Sequence, residues 1–247
     1  YMLNIAYMLK DIDLNKVFVI DIETVPLYEF FEEMPLQMQE LWDHKTQFHR
    51  KEDKTAAEFY ERAGIWSEFG KIICISVGLF HTQNGVLSFR VNSYVGESEV
   101  EVLNQFSALL AKQPKDLILC AHNGKEFDFP YLCRRMLVNS ISIPAQLQIA
   151  GKKPWEVNHI DTMELWKFGD YKNYTSLNLL AAIFNIPTPK DDIDGSMVKD
   201  VYYKDKNITR IVTYCQKDVI TTAQILLRFK GLPPIADEHI SIASGKF

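Results

Sequence analysis

The chain has 247 residues, 47% of them hydrophobic and 24% charged, with a formal net charge of −5 at pH 7. That balance fits one large globular domain or two small ones and excludes a histone-like coat on nucleic acid. No apolar run approaches a membrane span, and the start carries no signal-peptide pattern. The four cysteines lack CxxC spacing and read as reduced core thiols, the pattern of a cytoplasmic protein.

Residues 1–15 read as an extension, with Met8-Leu9-Lys10 a natural start. Val17-Phe18-Val19-Ile20-Asp21-Ile22-Glu23-Thr24 then forms an apolar, β-branched run, the signature of a buried central strand. At its end the pattern alternates, so Asp21 and Glu23 share one face and Ile22 takes the other. Two carboxylates side by side on a core strand repel each other, and their burial is costly. A divalent cation with a taste for oxygen, Mg²⁺ or Mn²⁺, removes that cost. Alone, the D-x-E pattern fits surface acids at a strand end equally well.

Residues 26–69 read as a helical insertion, with helical apolar spacing at Leu27–Phe31, Leu36–Trp42 and Thr55–Phe69. Its basic middle, His44-Lys45 and His49-Arg50-Lys51, fits a solvated loop or a clamp on a substrate backbone. A second buried strand covers Lys71–Phe80, and Asn84-Gly85 turns the chain into a third, Val86–Val95. Ser98 caps a helix through Ala111, and Leu117–Ala121 is a fourth strand. This strand runs into His122-Asn123-Gly124-Lys125-Glu126-Phe127-Asp128, with Asp128 at the expected N-cap of a helix whose first turn holds Pro130.

Beyond it, 139–158 is irregular and carries the basic-aromatic cluster Lys152-Lys153-Pro154-Trp155. Val157–Asp161 reads as a short edge strand, Met163–Phe168 as a helical turn, and Ser176 as the cap of Leu177–Phe184. Pro187-Thr188-Pro189 breaks the chain, and Asp194-Gly195-Ser196 opens another short helix. A long last helix runs from Asn207 to Lys230, stopped by Gly231 and Pro233. On that helix Tyr214 and Asp218 stand one turn apart on one face. The order of elements predicts a mixed α/β sheet flanked by helices.

The ordered set Asp21-Ile22-Glu23-Thr24, Asn123-Gly124-Lys125-Glu126-Phe127-Asp128 and Tyr214-Cys215-Gln216-Lys217-Asp218 resembles the 3′–5′ exonucleases of the DEDD superfamily, in the branch carrying tyrosine. It is most similar to the proofreading exonuclease domain of family-B DNA polymerases. The resemblance covers about 16–230, matches the insertion least, and leaves 231–247 as a tail. It implies an RNase H-like fold, a nucleic-acid substrate with a single-stranded 3′ end (DNA preferred), and a separate replication or repair partner.

Phosphodiester hydrolysis needs charge stabilisation, an activated water and a stabilised leaving oxygen. Two metals about 3.5–4 Å apart supply all three. In this scheme Asp21 bridges two Mg²⁺ or Mn²⁺ ions, Glu23 and Asp218 complete the nucleophile side, and Asp128 holds the other ion. The Tyr214 hydroxyl, with an ordinary pKa near 10, orients the attacking water and is a poor base. Thr24 is placed for the terminal sugar, Phe127 for stacking on bases, Asn123 for a phosphate or a loop, and Arg134 for a phosphate or the acids. Lys190 and Ser196 are weaker phosphate candidates, Asp161 reads as structural, and His122 as a neighbour without a chemical step. RNA trimming, or nucleic-acid binding without catalysis, would use the same fold.

Overall fold

The computed structural model describes residues 9–51, 53–170, 172–187 and 193–243; Met8, Pro189 and Lys190 lie outside them. Strand β1 (Val17–Pro26) is the spine. It pairs antiparallel with β2 (Gly70–Gln83), which pairs antiparallel with β3 (Val86–Tyr94). On its other side β1 runs parallel to β4 (Ile118–Ala121), and β4 parallel to β5 (Ile160–Asp161). The hairpin between β2 and β3 turns on Asn84 and Gly85, both at positive φ (52° and 78°), as a two-residue turn demands. A sixth strand, β6 (Ile240–Ile242), lies parallel to β3, so the order is β5-β4-β1-β2-β3-β6. The segment that reads as a tail in the sequence thus supplies one edge of the sheet.

Alternation along β1 feeds both faces. Phe18, Ile20 and Ile22 enter a core with α3 (Glu99–Ala111) and α4 (Asp128–Val138). Val17 and Val19 enter the opposite core, built on the long helix α8 (Ile208–Phe229). That helix lies close over β2: a Cβ on Gly78 would stand 2.1 Å from the Phe89 ring and 2.7 Å from Val219. Leu9 and Leu14 are buried in the same core, and Lys230 Nζ donates to the carbonyls of Leu9 and Ile12. The described part of the extension, 9–15, is therefore packed onto the domain. No helix among the described residues is long and apolar enough to cross a membrane.

The insertion departs from its expected helices. Only α1 (Leu36–Thr46) is a regular helix, joined by the one-turn α2 (Ala56–Phe59) and a 3₁₀ stretch, Tyr60–Ile65. Residues 27–30 are not helical; a single 3₁₀ turn begins at Phe31. The physical reason is Trp42, fully buried and ringed by Phe59, Tyr60, Trp66 and Phe69 at centroid distances of 5.1–6.0 Å. Gathering aromatics around one indole requires short turns, so packing overrides apolar periodicity. The expected edge strand shrinks to β5, and the helical turn after it is α5 (Thr162–Lys167). Ser176 caps α6 (Leu177–Ile183), and α7 (Val198–Tyr203) follows the Asp194 turn.

A buried ion pair binds α4, α3 and the insertion together. Arg135 grips Glu99 at 2.8 and 2.6 Å and donates to the Ser67 carbonyl at 2.8 Å. Removing one partner leaves the other charge buried, which costs about 3–5 kcal/mol. Arg135→Ala should therefore lower the urea midpoint steeply, whereas exposed Arg134→Ala should move stability by no more than about 0.5 kcal/mol.

Candidate active site

Beyond Val19 the outer edge of β1 has no ladder partner, because β4 pairs with it only over Val17–Val19. Asp128 fills part of that gap: the Ile22 amide donates to its Oδ1 at 3.2 Å. The expected N-cap role passes to Phe127, and Asp128 is the first helical residue, its carboxylate turned onto β1. Register slips between Glu23 and Thr24, a bulge that re-aims the strand end. Asp21 and Glu23 stay on the face shared with Val17 and Val19, under α8. Tyr214 and Asp218, one turn apart on α8, close the group from above. Asp21, Glu23, Asp128, Tyr214 and Asp218 thus line one cleft of about 360 Å³, with His122, Asn123 and Phe127 in its wall.

The electrostatics of the cleft are strained. Burial, then the charges of Asp218 and Asp128, holds the Asp21 carboxyl well above its ordinary range. Burial and Asp21 do the same to Glu23. Asp128 is pushed up to about 7, chiefly by burial. Burial and the neighbouring Asp218 carboxylate, to which it is hydrogen-bonded, raise the Tyr214 hydroxyl far above the ordinary phenol value. One oxygen of Asp21, Oδ2, is buried with no hydrogen-bond donor. An orphaned carboxylate oxygen facing three other carboxylates is the chemistry of a hard-cation site.

Two thiols that the sequence did not mark sit beneath this cluster. Cys74 is the β2 partner of Glu23, and Cys215 Sγ donates to the Asp21 carbonyl at 3.5 Å. Single atoms of Asp21, Glu23 and Cys215 all come within 4.8 Å of one another. Burial drives the Cys215 pKa up, so the thiol stays protonated, and the donor set is one of oxygens. The signal was adjacency: Cys215 lies inside the Tyr214–Asp218 turn.

The remaining sequence candidates divide. Asn123 and Phe127 line the cleft, the first at φ 64°, the second packed against Tyr131 at 5.3 Å. The Thr24 hydroxyl is committed to the Gly64 carbonyl at 2.8 Å and faces the insertion. Arg134 is exposed and forms no part of the cleft lining. Ser196 turns its hydroxyl onto Asp194, and only Gly195 beside it borders the cleft. His122 has both ring nitrogens engaged, by Thr162 Oγ1 at 2.9 Å and the Thr175 carbonyl at 2.8 Å, and burial lowers its pKa. Asp161 does more than cap α5: its oxygens accept from the amides of Met163 and Glu164 and from those of Asn123 and Lys125, fastening the loop that delivers Asp128.

Residues 65–238, more than two-thirds of the chain, match the model of a family described as "Predicted 3'-5' exonuclease related to the exonuclease domain of PolB". The chain belongs to that family. The match spans Asp128, Tyr214 and Asp218, while β1 with Asp21 and Glu23 precedes it. The sheet with its flanking helices is the RNase H-like fold of such an exonuclease.

For this exonuclease-family chain the raised carboxyl pKa values fix the sign of a pH effect. With Asp128 moved from 3.8 to about 7, the folded chain keeps a proton that the unfolded chain releases near pH 4. The stability tied to this proton is therefore fully present below about pH 4 and is lost as pH rises through 7. Each tenfold difference in proton affinity between the two states is worth about 1.4 kcal/mol. In EDTA the melting temperature should fall between pH 5 and 8, Mg²⁺ should restore it at pH 8, and Asp128→Asn should flatten the fall.

Proposed function

We propose that this chain is a metal-dependent 3′–5′ exonuclease acting on single-stranded 3′ ends, DNA preferred, and releasing nucleoside 5′-monophosphates. The observation that supports it best is the orphaned, buried Asp21 Oδ2 among Glu23, Asp128 and Asp218. These four carboxylates would hold two divalent cations, Mg²⁺ or Mn²⁺. When bound, such ions neutralise the non-bridging phosphate oxygens and acidify the attacking water.

The chain's own groups do the rest. Asp21 and Glu23, fixed on the rigid end of β1, hold their position without loop motion. Tyr214 keeps its proton at neutral pH, so its hydroxyl is a fixed hydrogen-bonding group that orients the water and leaves proton removal to others. Phe127 offers a half-buried ring at the cleft wall for a terminal base, and Asn123 its amide for the strand. The Thr24 backbone remains beside the acids, so a contact to the terminal sugar passes through its main chain. In this reading its partner is a replication or repair protein.

Purified protein with Mg²⁺ or Mn²⁺ should shorten 5′-labelled single-stranded DNA one nucleotide at a time, and RNA more slowly. Asp21→Asn should remove the ladder while leaving the melting temperature in EDTA unchanged or higher, since one repelling charge is gone. Intact oligonucleotides after long incubation with either ion would falsify the assignment. Tyr214→Phe should reduce kcat by about 10²-fold or more with little change in KM, because an orienting group acts on the chemical step.

A further inference from the structure

A second cavity, of about 410 Å³, adjoins the cleft. Asn123 belongs to both walls, and the loop around it alternates: Lys125 and Glu126 face the second cavity, Phe127 and Asp128 the cleft. The same clamp on Asp161 that sets Asp128 therefore sets the ridge between the two.

The cavity wall carries three lysines and three acids, and these are unevenly partnered. Lys125, Lys152 and Lys167 line it. Glu164 answers Lys125 at 2.7 Å, Glu126 answers Lys167 at 3.7 Å, and Asp161's carboxylate is consumed by backbone amides. Lys152 makes no salt bridge among the described residues; the Lys153 Nζ sits 5.2 Å from the centre of the Trp155 ring, while its backbone amide donates to Glu156 Oε2 at 2.8 Å.

Exposed aromatics accompany it. Trp155 is 75% exposed and stands between Lys152 and Val157, both in the wall. Phe168 is 66% exposed, between Lys167 and Gly169, and holds a left-handed backbone (φ 46°) that a bulky residue rarely adopts. Tyr174, 70% exposed, continues the series at the rim of the cleft. None of these rings serves the core. Exposed π-faces beside the ammonium groups of Lys152 and Lys153 suit a single-stranded nucleic acid, whose bases stack and whose phosphates pair.

We propose that the second cavity with Lys152, Trp155 and Phe168 is the track for the nucleotides upstream of the scissile 3′ end. The track rests on the exonuclease reading for its polarity and on its own surface for its ligand. It makes affinity depend on substrate length: a trinucleotide fills the cleft, and a longer strand also engages the track.

The test uses the full chain and its Lys152→Ala/Trp155→Ala variant, both positions exposed and outside the cleft. In EDTA, fluorescence anisotropy of labelled oligothymidylates should show a twelve-nucleotide strand binding the variant at least about 10-fold more weakly, with a shallower salt dependence. Binding of a trinucleotide should not change. With Mg²⁺, the KM for the long strand should rise while kcat and trinucleotide hydrolysis hold. Equal affinity of both proteins for the long strand overturns the track. If nothing is hydrolysed but the length-dependent loss appears, the track stands and the exonuclease reading falls.

Discussion

Four carboxylates forced into one small cleft are the constraint on which the rest of this structure turns. Glu23 and Asp128 are 8% and 4% exposed, and Asp21 has an oxygen sealed from any donor. Burial and mutual repulsion both oppose ionisation, so the polypeptide alone gains nothing from the arrangement. It persists because three rigid elements over-determine it. The strand β1 is pinned on both sides, α4 is fastened by Arg135 and by the Asp161 loop, and α8 is packed down on Gly78. Stability is invested in the scaffold so that strain can be held at the site.

Much of this was legible in the sequence, and the legible parts share a physical origin. The run Val17–Ile22 and the long amphipathic Ile208–Phe229 are governed by periodicity, so the strand, the helix and the acids on them could be read directly. What stayed hidden depends on contacts between residues far apart in the chain. Trp42 gathering four aromatics turned expected helices into short turns. The choice between Arg134 and Arg135 is one residue on a helix, yet it separates a solvated side chain from the buried partner of Glu99. Asp161 reads from the sequence only as structural, and its bond to the Asn123 amide, 38 residues away, depends on the fold.

The insertion matters to the site although it contributes no acid. Its Gly64 carbonyl accepts from both the Thr24 hydroxyl and the Tyr131 hydroxyl, at 2.8 Å each. Thr24 follows the bulge that aims Glu23, and Tyr131 lies in the first turn of α4 beside Asp128. A single carbonyl thereby ties the two arms that carry acids, on the side where the β1 edge lacks a strand. Gly64 can do this because its α-carbon face lies against the Val25 and Pro26 backbone, where a Cβ would stand 3.2–3.3 Å from main-chain atoms. The insertion thus acts as a brace on β1 and α4.

That brace, the Asp161 clamp and the engaged ring of His122 leave the cleft with few groups free to move or to change charge. Tyr214 is held protonated by burial and the acids around it, His122 is held neutral by burial, and Cys215 is held as a thiol. None of the three is poised to take a proton at neutral pH. The groups whose charge is poised to change are the carboxylates, which burial and mutual repulsion hold above their ordinary range. In the exonuclease reading proposed above, control of the chemistry would lie in the occupancy of the acidic cluster, and the protein's part would be geometry: rigid placement of acids, one fixed hydroxyl, and walls open to a strand end.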